Sequence, residues 1–576
     1  MKEKWVIAAK KADFYKIGET FGIDPVIARL IRNRDIIGEE AIRKYLYGTV
    51  RDLYDPGLLK GMKEAGAILS EKLKEGRKIR VIGDYDIDGV MSSYILITGL
   101  TKLGADADVR IPDRIRDGYG LNENLVREAA ADGVDTILTC DNGIAASAQI
   151  ALARELGMTA VVTDHHEIPF KEAEDGTREY ILPPADAVID AKQPGETYPF
   201  RELCGAGVAF KLISYLYDLC KLPDAETEKE ELLQYAGFAT VGDVVPLRDE
   251  NRILVREGLA RLRKTKNPGL QELISQNNLD PDGLDTFHIG FVLGPCINAS
   301  GRLDTANRAL SLLRAKTRME AAPIAAELVS LNASRKDMTA KGEEDAVRQV
   351  EETEIGKDNV LVVYLPECHE SICGIIAGHL KERYYKPTFV LTGTADGLKG
   401  SGRSIEAYSM YEELCKCREL LSKFGGHPMA AGISLPEENL EAFRRLLNEN
   451  STLTEEDLVP KKLIDIKMPI GYISKELIHQ LDILQPYGEG NKAPVFAESG
   501  LVVSGARLLG RKGNAAKMRL TGADGRSVEG IYFGDAGEFL NDIAENPVIA
   551  AIYHPRINSW NGTETIQVQI TSYRNS

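Results

Sequence analysis

Three aspartates alternate with other residues between positions 84 and 88. Asp84, Asp86 and Asp88 follow the segment Arg80–Ile82, which has the β-branched character of a buried strand. Carboxylates held this close raise one another's pKa unless a cation neutralises them, and an oxygen-rich site suits Mg²⁺ or Mn²⁺. The alternative is an Asp-rich turn that caps the next helix, which explains one aspartate better than three. The spacing therefore predicts a divalent metal site.

Three further polar motifs occur later in the chain. Residues 140–143 are Cys-Asp-Asn-Gly, residues 164–167 are Asp-His-His-Glu, and residues 241–246 are Val-Gly-Asp-Val-Val-Pro. Each motif alone is weak evidence, since an Asp-Gly pair is usually a turn and a His pair is more often structural than ligating. Together with the first motif they supply six aspartates and two histidines. That set predicts two metal ions about 3.5–4 Å apart with a carboxylate between them.

Strands and helices in alternation must position these motifs. From residue 78 onward we predict strands at Lys78–Ile82, Ala107–Ile111, Thr136–Thr139, Ala160–Thr163 and Ala187–Ile189. We predict helices at Val90–Leu103, Glu123–Ala131, Ala145–Leu156, Val208–Leu219 and Leu232–Ala239. The alternation indicates an α/β fold with a doubly wound parallel sheet, in which ligands collect at the carboxyl ends of the strands. At least three of the four motifs stand at those ends.

The pattern changes along the rest of the chain and predicts five regions. An N-terminal helical region over 1–75 precedes the sheet domain over 76–305. Residues 306–357, rich in Ala, Leu, Glu, Lys and Arg, predict a connector of one or two long helices. A second α/β domain is expected over 358–455, with strands at Val360–Tyr364, Thr388–Leu391 and Ala431–Leu435. Short β runs separated by Gly turns over 456–576 predict a small barrel of the OB-fold type.

Composition and charge limit the class of protein. The 576 residues are 43% hydrophobic and 27% charged, which is ordinary for a globular protein. No apolar run reaches the length of a membrane span, the first residues lack a signal-peptide pattern, and the eight cysteines form no CxxC pair. We therefore expect a cytoplasmic protein without membrane contact. The net charge of −16 argues against nucleic-acid binding by bulk attraction, but a narrow basic channel is compatible with it.

A second candidate site, for anions, lies between residues 399 and 427. The glycines Gly425 and Gly426 let backbone N–H groups approach an anion, and His427 can donate to a phosphate. The alternative for this motif alone is a Gly-Gly turn beside a structural histidine. Because Lys-Gly-Ser-Gly-Arg-Ser at 399–404 has the composition of another phosphate-binding loop, we interpret the two together as a substrate clamp.

Two clusters of basic residues are candidates for a path along which a polyanion reaches the site. The first comprises Arg252, Arg256, Arg261, Arg263, Lys264 and Lys266, and the second comprises Arg507, Arg511, Lys512, Lys517 and Arg519. Most charged runs are only solvated faces, and the first cluster lies on a predicted helix. The second is the stronger candidate, because OB-fold strands with basic loops commonly face nucleic acid.

The motifs DYDIDG, CDNG, TDHHE and VGDVVPL, in this order and spacing, resemble the DHH phosphoesterase superfamily. Within it, the chain resembles the RecJ family of bacterial single-strand exonucleases through IPDRIRDGYGLN (111–122), LCGAGVAFKL (203–212) and NASGRL (298–303). The resemblance continues through a DHHA1-type domain, in HESICGIIAGHL and FGGHPMAAG, and into the OB-fold at LQPYGEGNKAPVF. Two positions depart from the family pattern: Cys368 replaces the common Trp, and Gly242 replaces the usual Ala. Neither change removes a ligand.

This resemblance implies a metal-dependent phosphoesterase with two Mn²⁺ or Mg²⁺ ions. The catalytic residues it implies are those of the metal site. Asp86 is expected to bind one ion, Asp88, His165 and Asp243 the other, and Asp141 both. Asp84 and His166 are expected in or beside the ligand shell. Two such cations can activate a water, hold a phosphate and stabilise the leaving oxygen. Hydrolysis of a phosphodiester needs little beyond that positioning and positive charge.

The resemblance also implies the substrate and the partners. The expected substrate is single-stranded DNA, degraded from its 5′ end to mononucleotides during recombination and repair. The resemblance assigns Arg114, Arg302, Ser401 and Arg403 to a pocket for the 5′ end. Gly425, Gly426 and His427 form the clamp described above. Tyr119, in Gly-Tyr-Gly, is a candidate for stacking on a base, and the alternative is an ordinary exposed tyrosine in a turn. Single-strand-binding protein and a repair helicase are expected partners of a monomeric enzyme.

Four other functions are the alternatives to this interpretation. NanoRNases and nucleotide phosphatases are shorter and lack the barrel segment, so the region after residue 460 argues against them. Replication factors that keep the fold without catalysis lose metal ligands, whereas every ligand position is filled here. A soluble pyrophosphatase would need neither Tyr119 nor a barrel. The exonuclease therefore remains the favoured interpretation.

Overall fold

The computed structural model describes residues 3–114, 117–118, 120–172, 176–510, 513–560 and 562–575. The chain forms two compact units. The first consists mainly of Asp55–Asp243 and Gly258–Pro460, and the second consists of Lys4–Tyr54, Val244–Glu257 and Lys461–Ser576. Among the residues described, no helix combines the length and the apolar character that crossing a membrane requires.

A five-stranded parallel sheet lies in the first unit. Its strands, in spatial order, are Ala107–Arg110, Ile79–Ile82, Thr136–Cys140, Thr159–Thr163 and Ala187–Ile189. All four neighbouring pairs run parallel. The order of a doubly wound sheet reverses between Ile79–Ile82 and Thr136–Cys140, which is where such sheets bind ligands. The predicted α/β fold with a parallel sheet is confirmed.

Helices precede, connect and follow these strands. They are Met62–Lys74, Ile87–Lys102, Glu123–Ala131, Ser147–Glu155, Gly205–Leu219 and Ala225–Gly242, with a small hairpin of Phe170–Glu172 and Arg178–Tyr180. The second helix begins at Ile87, three residues before the predicted start. Asp86 caps it, because its carboxylate accepts hydrogen bonds from the backbone N–H groups of Asp88 (3.0 Å) and Gly89 (3.1 Å). The capping alternative is therefore correct for one of the three aspartates.

The predicted connector consists of two helices, Asn307–Arg314 and Arg318–Glu352. The helices between the sheet domain and this connector are Asp249–Leu262, Pro268–Gln276, Thr286–His288 and Gly294–Leu303, with a π-helical turn at Ile289–Leu293. Ala321, Ala325 and Leu328 of the long helix are buried at helical spacing. That stripe gives the helix one apolar face, which packs on the helices before it.

A second, mixed sheet follows the connector. Its strands, in spatial order, are Lys423–His427, Ala430–Leu435, Gly397–Arg403, Thr388–Thr394 and Leu361–Tyr364, and its helices are Cys373–Tyr384, Met410–Lys416 and Leu440–Asn450. The last pair of strands is parallel and the other three pairs are antiparallel. The three strands predicted here are confirmed, with small shifts at their ends.

The prediction that the two glycine-rich segments of this sheet are loops is wrong. Residues 399–403 lie in an inner strand that pairs with a neighbouring strand on each side. Gly425, Gly426 and His427 lie in the strand at the edge of the sheet. Packing explains the small residues of the inner strand. A Cβ atom at Gly402 would lie 2.6 Å from the ring of Phe389, so only glycine lets that ring reach the strand.

The second unit contains a closed five-stranded barrel. Its strands are Phe496–Leu509, Ala515–Thr521, Ser527–Phe533, Val548–Trp560 and Thr563–Asn575. The first strand pairs with both the second and the fourth, and the third pairs with the fifth in parallel, so the sheet closes on itself. The short strand Ile466–Lys467 and the helices Lys475–Asp482 and Ala536–Glu545 accompany it. The predicted OB-type barrel is confirmed.

The N-terminal segment packs with this barrel. A strand at Lys4–Ile7, which the sequence did not predict, pairs in parallel with Lys461–Ile464. The helices Phe14–Phe21, Pro25–Asn33 and Glu39–Tyr47 follow it. Ile27, Leu30 and Ile31 belong to the same buried cluster as the barrel residues Phe496 and Leu520. Residues 4–54 therefore share a hydrophobic core with the C-terminal part of the chain.

Arg252, the first member of the first basic cluster, is a buried structural residue. Its guanidinium donates three hydrogen bonds of 2.9 Å, to the carbonyls of Tyr45, Ile483 and Leu484, and it lies over the ring of Tyr45. Its exposed fraction is 2%. Arg252 therefore joins three segments of the second unit and does not offer its charge to a ligand.

Candidate metal centre

Adjacent strands of the parallel sheet bring the predicted acidic residues together. Asp84 follows the strand Ile79–Ile82, Asp141 follows Thr136–Cys140, and Asp164 and His165 follow Thr159–Thr163. Because parallel strands end at the same edge of the sheet, these side chains converge. Asp243 reaches the same place from the C-terminal end of the helix Ala225–Gly242.

His165 lies at the middle of this group. Its Nε2 atom is 3.0 Å from Asp141 Oδ1, 3.5 Å from Asp88 Oδ2 and 3.8 Å from Asp243 Oδ2. Three carboxylates therefore surround one imidazole nitrogen. Neutral imidazole and carboxylate oxygens together form a donor set that suits a divalent transition metal such as Mn²⁺.

Among the residues that the structure describes, seven fall into three groups whose ligand atoms lie within 4.8 Å of one another. The groups are Asp84 with Asp86 and Asp141, Asp88 with His165 and Asp243, and Asp141 with His165 and His166. All seven predicted catalytic residues are present. Asp141 and His165 each belong to two groups, so they lie between neighbouring positions that a cation can occupy.

Two backbone features hold the carboxylates in place. Asp88 is fully buried, and its carboxylate accepts hydrogen bonds from the backbone N–H groups of Gly205 (2.6 Å) and Ala206 (2.8 Å). These groups form the N-terminus of the helix Gly205–Leu219, where the helix dipole favours a negative charge. Asp141 has a φ of 59°, a left-handed conformation that Asp adopts more readily than most residues.

Burial makes this group of acids unfavourable in the charged form. It raises the pKa of Asp84, Asp88, Asp141 and Asp243, that of Asp243 to about 9, and neighbouring carboxylates add to the effect. Asp84 Oδ1 is buried and accepts no hydrogen bond within the part of the chain that the structure describes. A divalent cation would remove the repulsion and give this oxygen a partner, so the residues fit a metal.

The two adjacent histidines have opposite protonation. Burial lowers the pKa of His165 to about 4, which leaves its imidazole neutral. Burial also acts on His166, but the 2.7 Å hydrogen bond between its Nδ1 and Asp164 Oδ1 prevails and raises its pKa to about 9. His165 is therefore ready to bind a metal, while His166 carries a positive charge beside the acids.

One further buried acid, Asp190, lies outside the four sequence motifs. It follows the fifth strand, Ala187–Ile189, and is completely buried. Its Oδ1 accepts a hydrogen bond from the backbone N–H of Lys192 (2.8 Å), and burial raises its pKa to about 8. The sequence could have indicated Asp190 as a candidate site residue, because it directly follows the predicted strand Ala187–Ile189.

The predicted substrate-binding residues are only partly brought together. A cavity of about 400 Å³ is lined by Arg114, Ser401 and Gly425 along with Tyr85 and Lys399. The Arg114 guanidinium lies 4.9 Å from the centre of the Tyr85 ring. Both sheets of the first unit thus contribute to one polar cavity.

The other predicted substrate residues have different surroundings. Arg302 is directed to a backbone group, since its Nη1 donates a 2.7 Å hydrogen bond to the carbonyl of Ser371. Arg403 is half-buried and lies close to Gly374, at the start of the helix Cys373–Tyr384. Gly426 and His427 lie in an exposed edge strand. Tyr119 lies outside the described residues.

A basic groove of about 1080 Å³ lies on the barrel of the second unit. Its lining includes Lys475, Arg507, Lys517, Arg519 and Arg526. Three of these residues belong to the second predicted basic cluster, whose members Arg511 and Lys512 lie outside the described residues. Lys517 is paired with Glu529 at 2.6 Å. A groove with this charge is suited to a phosphate backbone.

Comparison with known families gives three matches in chain order. Residues 78–242 match the DHH family, N-terminal domain, residues 357–451 match the DHHA1 domain, and residues 464–572 match the RecJ OB domain. Among curated proteins, the chain is 37% identical to the single-stranded-DNA-specific exonuclease RecJ of Bacillus subtilis, over 99% of this chain and 70% of that protein. It is 33% identical to the Salmonella typhimurium protein of the same name, over 95% of each chain.

Among solved structures, the chain is similar to RecJ of Thermus thermophilus in complex with Mn²⁺. The TM-score is 0.83, with 30% sequence identity, over 100% of this chain and 80% of that chain. The complex of the same protein with Mg²⁺ gives a TM-score of 0.78 at 28% identity, over 100% of this chain and 78% of that chain.

Proposed function

Because this chain belongs to the RecJ family of single-stranded-DNA-specific exonucleases, we propose that it hydrolyses single-stranded DNA from the 5′ end and releases mononucleotides. The observation that carries the proposal is the convergence of Asp141, Asp88 and Asp243 on His165 at the carboxyl edge of the parallel sheet. Such a site serves hydrolysis of a phosphodiester and needs no covalent intermediate with the protein.

Mn²⁺ or Mg²⁺ are the cations proposed for this site, two of them. We assign Asp86 to one ion, Asp88, His165 and Asp243 to the other, and Asp141 to both, with Asp84 and His166 beside them. The shared membership of Asp141 in two donor groups supports its bridging position. When bound, the ions would neutralise the charge of the scissile phosphate and make an attacking water more acidic.

The protein itself orients the ligand groups, and it keeps His165 neutral while His166 is charged. The helix N-terminus at Gly205 holds the Asp88 carboxylate, and the neutral imidazole of His165 remains free of a proton that would block a ligand position. Asp164 fixes the charged ring of His166. We propose that this imidazolium donates a hydrogen bond to a phosphate oxygen and offsets charge that grows during hydrolysis.

The 5′ end of the strand is assigned to the cavity of about 400 Å³. Its lining by Arg114, Lys399 and Ser401 supports a role in binding a terminal phosphate. Arg302 and Arg403 are proposed to complete the positive charge. Gly425, Gly426 and His427 are proposed to contact the strand beside it, and Tyr119 to stack on a base. A terminal phosphate bound in this cavity would favour hydrolysis at the end of the strand over hydrolysis at an internal position.

The basic groove of the barrel is proposed to bind the strand further from its end. OB-folds bind single strands through a charged face that tracks the phosphates and tolerates any sequence. Arg507 and Arg519, which line the groove from neighbouring strands, are the proposed contacts.

We also propose the wider setting of the enzyme. It acts as a monomer in the cytoplasm, with single-strand-binding protein and a repair helicase supplying its substrate. The proposed domains are an N-terminal helical region (1–75), a DHH domain (76–305), a helical connector (306–357), a DHHA1 domain (358–455) and an OB-fold domain (456–576). The three family matches at 78–242, 357–451 and 464–572 support the DHH, DHHA1 and OB-fold domains of this division, whereas residues 4–54 pack with the barrel.

The proposal is tested with a single strand labelled at its 5′ or 3′ end, incubated with Mn²⁺ or with EDTA. Early release of the 5′ label as a mononucleotide, abolished by EDTA and by Asp141→Ala, is the expected result. Asp135→Ala is the matched control, because Asp135 precedes the same strand at its opposite end and pairs with Lys72. Earlier loss of the 3′ label would overturn the polarity, and release in EDTA would overturn the metal chemistry.

A further inference from the structure

Two cysteines in the second sheet domain lie close together at the start of a helix. The Sγ atoms of Cys368 and Cys373 are 4.0 Å apart, and they lie 3.6 Å and 3.8 Å from the same carbonyl, that of His369. Cys373 is the first residue of the helix Cys373–Tyr384. Cys368 is also the position at which the chain departs from the family pattern, and the proposed hydrolysis does not use it.

The two thiols differ in access to solvent. Cys373 is completely buried, whereas Cys368 is half-buried and lines a cavity of about 440 Å³ together with Lys341 and Arg348. A small oxidant can therefore reach Cys368 first. The Cys373 thiol donates a hydrogen bond to the Cys368 sulfur and thereby lowers the pKa of Cys368, which favours the nucleophilic thiolate at the accessible position.

We propose that Cys368 and Cys373 form a reversible, peroxide-driven disulfide that restrains the segment between them and slows the enzyme. In this pair, Cys368 is the residue that reacts with peroxide and Cys373 is the resolving cysteine. The two sulfur atoms must approach by about 2 Å to reach disulfide bonding distance. Rotation of the half-buried Cys368 side chain, with a shift of the short segment that carries it, supplies that movement.

The chemistry balances with one molecule of hydrogen peroxide. The Cys368 thiol loses its proton, the resulting thiolate attacks one peroxide oxygen, the O–O bond breaks, and the departing hydroxide takes up that proton to become water. This leaves a sulfenic acid on Cys368. The sulfur of Cys373 then attacks the Cys368 sulfur, and the S–OH oxygen leaves as a second water with the Cys373 proton. Two thiols lose two electrons in total, and one peroxide becomes two waters.

The segment enclosed by such a disulfide is connected to the proposed substrate cavity. Ser371 accepts the hydrogen bond from Arg302 through its carbonyl, and Glu370 pairs with Lys399 at 2.8 Å. Glu370, Ser371 and Lys399 all line the cavity of about 400 Å³. A short ring closed across this segment must shift these contacts. The effect on rate rests on the proposed exonuclease function, but the formation of the disulfide does not.

Mass spectrometry of the full-length protein tests the chemistry independently of activity. The reduced protein is treated with hydrogen peroxide, free thiols are alkylated, and the tryptic peptide covering 358–381 is analysed. The expected peptide is lighter by two hydrogen atoms and carries no alkyl group, and dithiothreitol restores two alkylation sites. Alkylation of both cysteines after peroxide, or a sulfinic acid on Cys368 without a disulfide, would overturn the proposal.

Activity measurements on two variants test the consequence. Peroxide should lower the rate of nucleotide release from single-stranded DNA several-fold, and dithiothreitol should restore it. Cys368→Ser, at a half-buried position, should fold normally and lose the peroxide effect, whereas Cys415→Ser, which removes an exposed thiol elsewhere, should keep it. If the disulfide forms while the rate of nucleotide release is unchanged, the proposal that the disulfide slows the enzyme through the cavity is wrong. If the untreated protein has no nuclease activity, the proposed function fails and the mass measurement still decides the chemistry.

Discussion

The Oδ2 atom of Asp88 accepts a 2.6 Å hydrogen bond from the backbone N–H of Gly205. The adjacent N–H of Ala206 donates to the other oxygen of the same carboxylate, at 2.8 Å. A helix N-terminus thus supplies two donors to an aspartate that has no exposed surface. This explains how a completely buried acid keeps the orientation that a metal ligand needs, and the two donors partly offset the rise in the pKa of Asp88 that burial causes.

The first prediction concerns this contact. A Cβ atom at Gly205 would lie 2.7 Å from the Cβ of Asp141, so Gly205→Ala must displace either the helix N-terminus or Asp141. We expect Mn²⁺ affinity, measured by calorimetry, to fall roughly 10- to 100-fold, as for other losses of groups that orient ligands. Gly207→Ala is the control, because its Cβ would lie 3.3 Å from the side chain of Leu203 and 3.9 Å from Cys204 Sγ, at ordinary or slightly tight contact distances. Equal affinities for the two variants would contradict the role of Gly205.

The second prediction concerns the pH dependence of metal binding. Burial and the charge of Asp88 raise the pKa of Asp243 to about 9, so the metal-free protein holds a proton there at neutral pH. A metal must displace that proton, and Mn²⁺ affinity should therefore rise with pH up to about 9. Calorimetry in buffers of different ionisation enthalpy measures the protons released. Asp243→Asn should release fewer, and an unchanged count would show that other groups carry the effect.

The third prediction concerns stability. Because burial raises the pKa of Asp190 to about 8, the folded protein keeps a proton that the unfolded chain has lost above about pH 4. The free energy of unfolding therefore falls as the pH rises between these values and levels off above about 8. Asp190→Asn keeps an acceptor for the Lys192 N–H but has no such titration. In EDTA, it should be more stable than the parent by a few kcal/mol near pH 8 and similar near pH 4.

Denaturation of both proteins by urea across this pH range measures the difference. A gap that stays constant with pH would mean that Asp190 titrates normally. The direction of the change distinguishes the two cases. If a cation held Asp190 in its ionised form, the free energy of unfolding would rise with pH instead of falling.

The fourth prediction concerns the 5′ end of the substrate. Arg403→Met keeps much of the side-chain volume and removes the charge proposed to contact the terminal phosphate. For a 5′-phosphorylated strand, KM should rise roughly 10- to 100-fold, the value of one charge-assisted hydrogen bond. Mn²⁺ affinity should not change. Arg383→Met is the control, since Arg383 is exposed and pairs with Glu351. The same loss on a strand with a 5′ hydroxyl would argue against a phosphate contact.

The fifth prediction concerns the barrel groove. Replacing Arg507 and Arg519 with glutamine should weaken single-strand binding. The slope of log affinity against log salt concentration should become shallower by about 0.7 for each phosphate that is no longer neutralised. Fluorescence anisotropy of a labelled oligonucleotide at several salt concentrations measures the slope. The control changes Lys467 and Arg556, basic residues of the same unit that do not line the groove. Equal slopes for the two double variants would remove the groove from the binding surface.

The sheet and the metal centre were predictable because their signals are local. Asp84, Asp141 and His165 each come shortly after a predicted strand. Because the strands pair in parallel, these three residues lie together at the carboxyl edge of the sheet. The helix that follows the first strand begins at Ile87, three residues before the predicted Val90, because Asp86 caps it. Asp86 also belongs to a candidate metal group, so one residue combines the two roles that the sequence presented as alternatives.

Long-range packing was not predictable in the same way. The segment 399–403 has the composition of a loop, but Gly402 is needed because the Phe389 ring lies against the strand. Arg252 stood in a run of basic residues, yet its hydrogen bonds to Tyr45 and Leu484 depend on segments about 200 residues away in either direction. Asp190 was missed because it stands alone, without a second acid to mark its strand end.

The parallel pairing of Lys4–Ile7 with Lys461–Ile464 has a consequence for biosynthesis. The first 54 residues leave the ribosome with Ile27, Leu30 and Ile31 uncovered, because the barrel residues that bury them are made more than 400 residues later. At about 5–20 residues per second, that interval is on the order of 20–80 s. The metal-binding sheet can be completed during this delay, whereas the N-terminal helices must wait for the end of translation. A nascent chain of this protein therefore carries an exposed apolar segment at its head for most of its synthesis, and chaperones have that long to bind it.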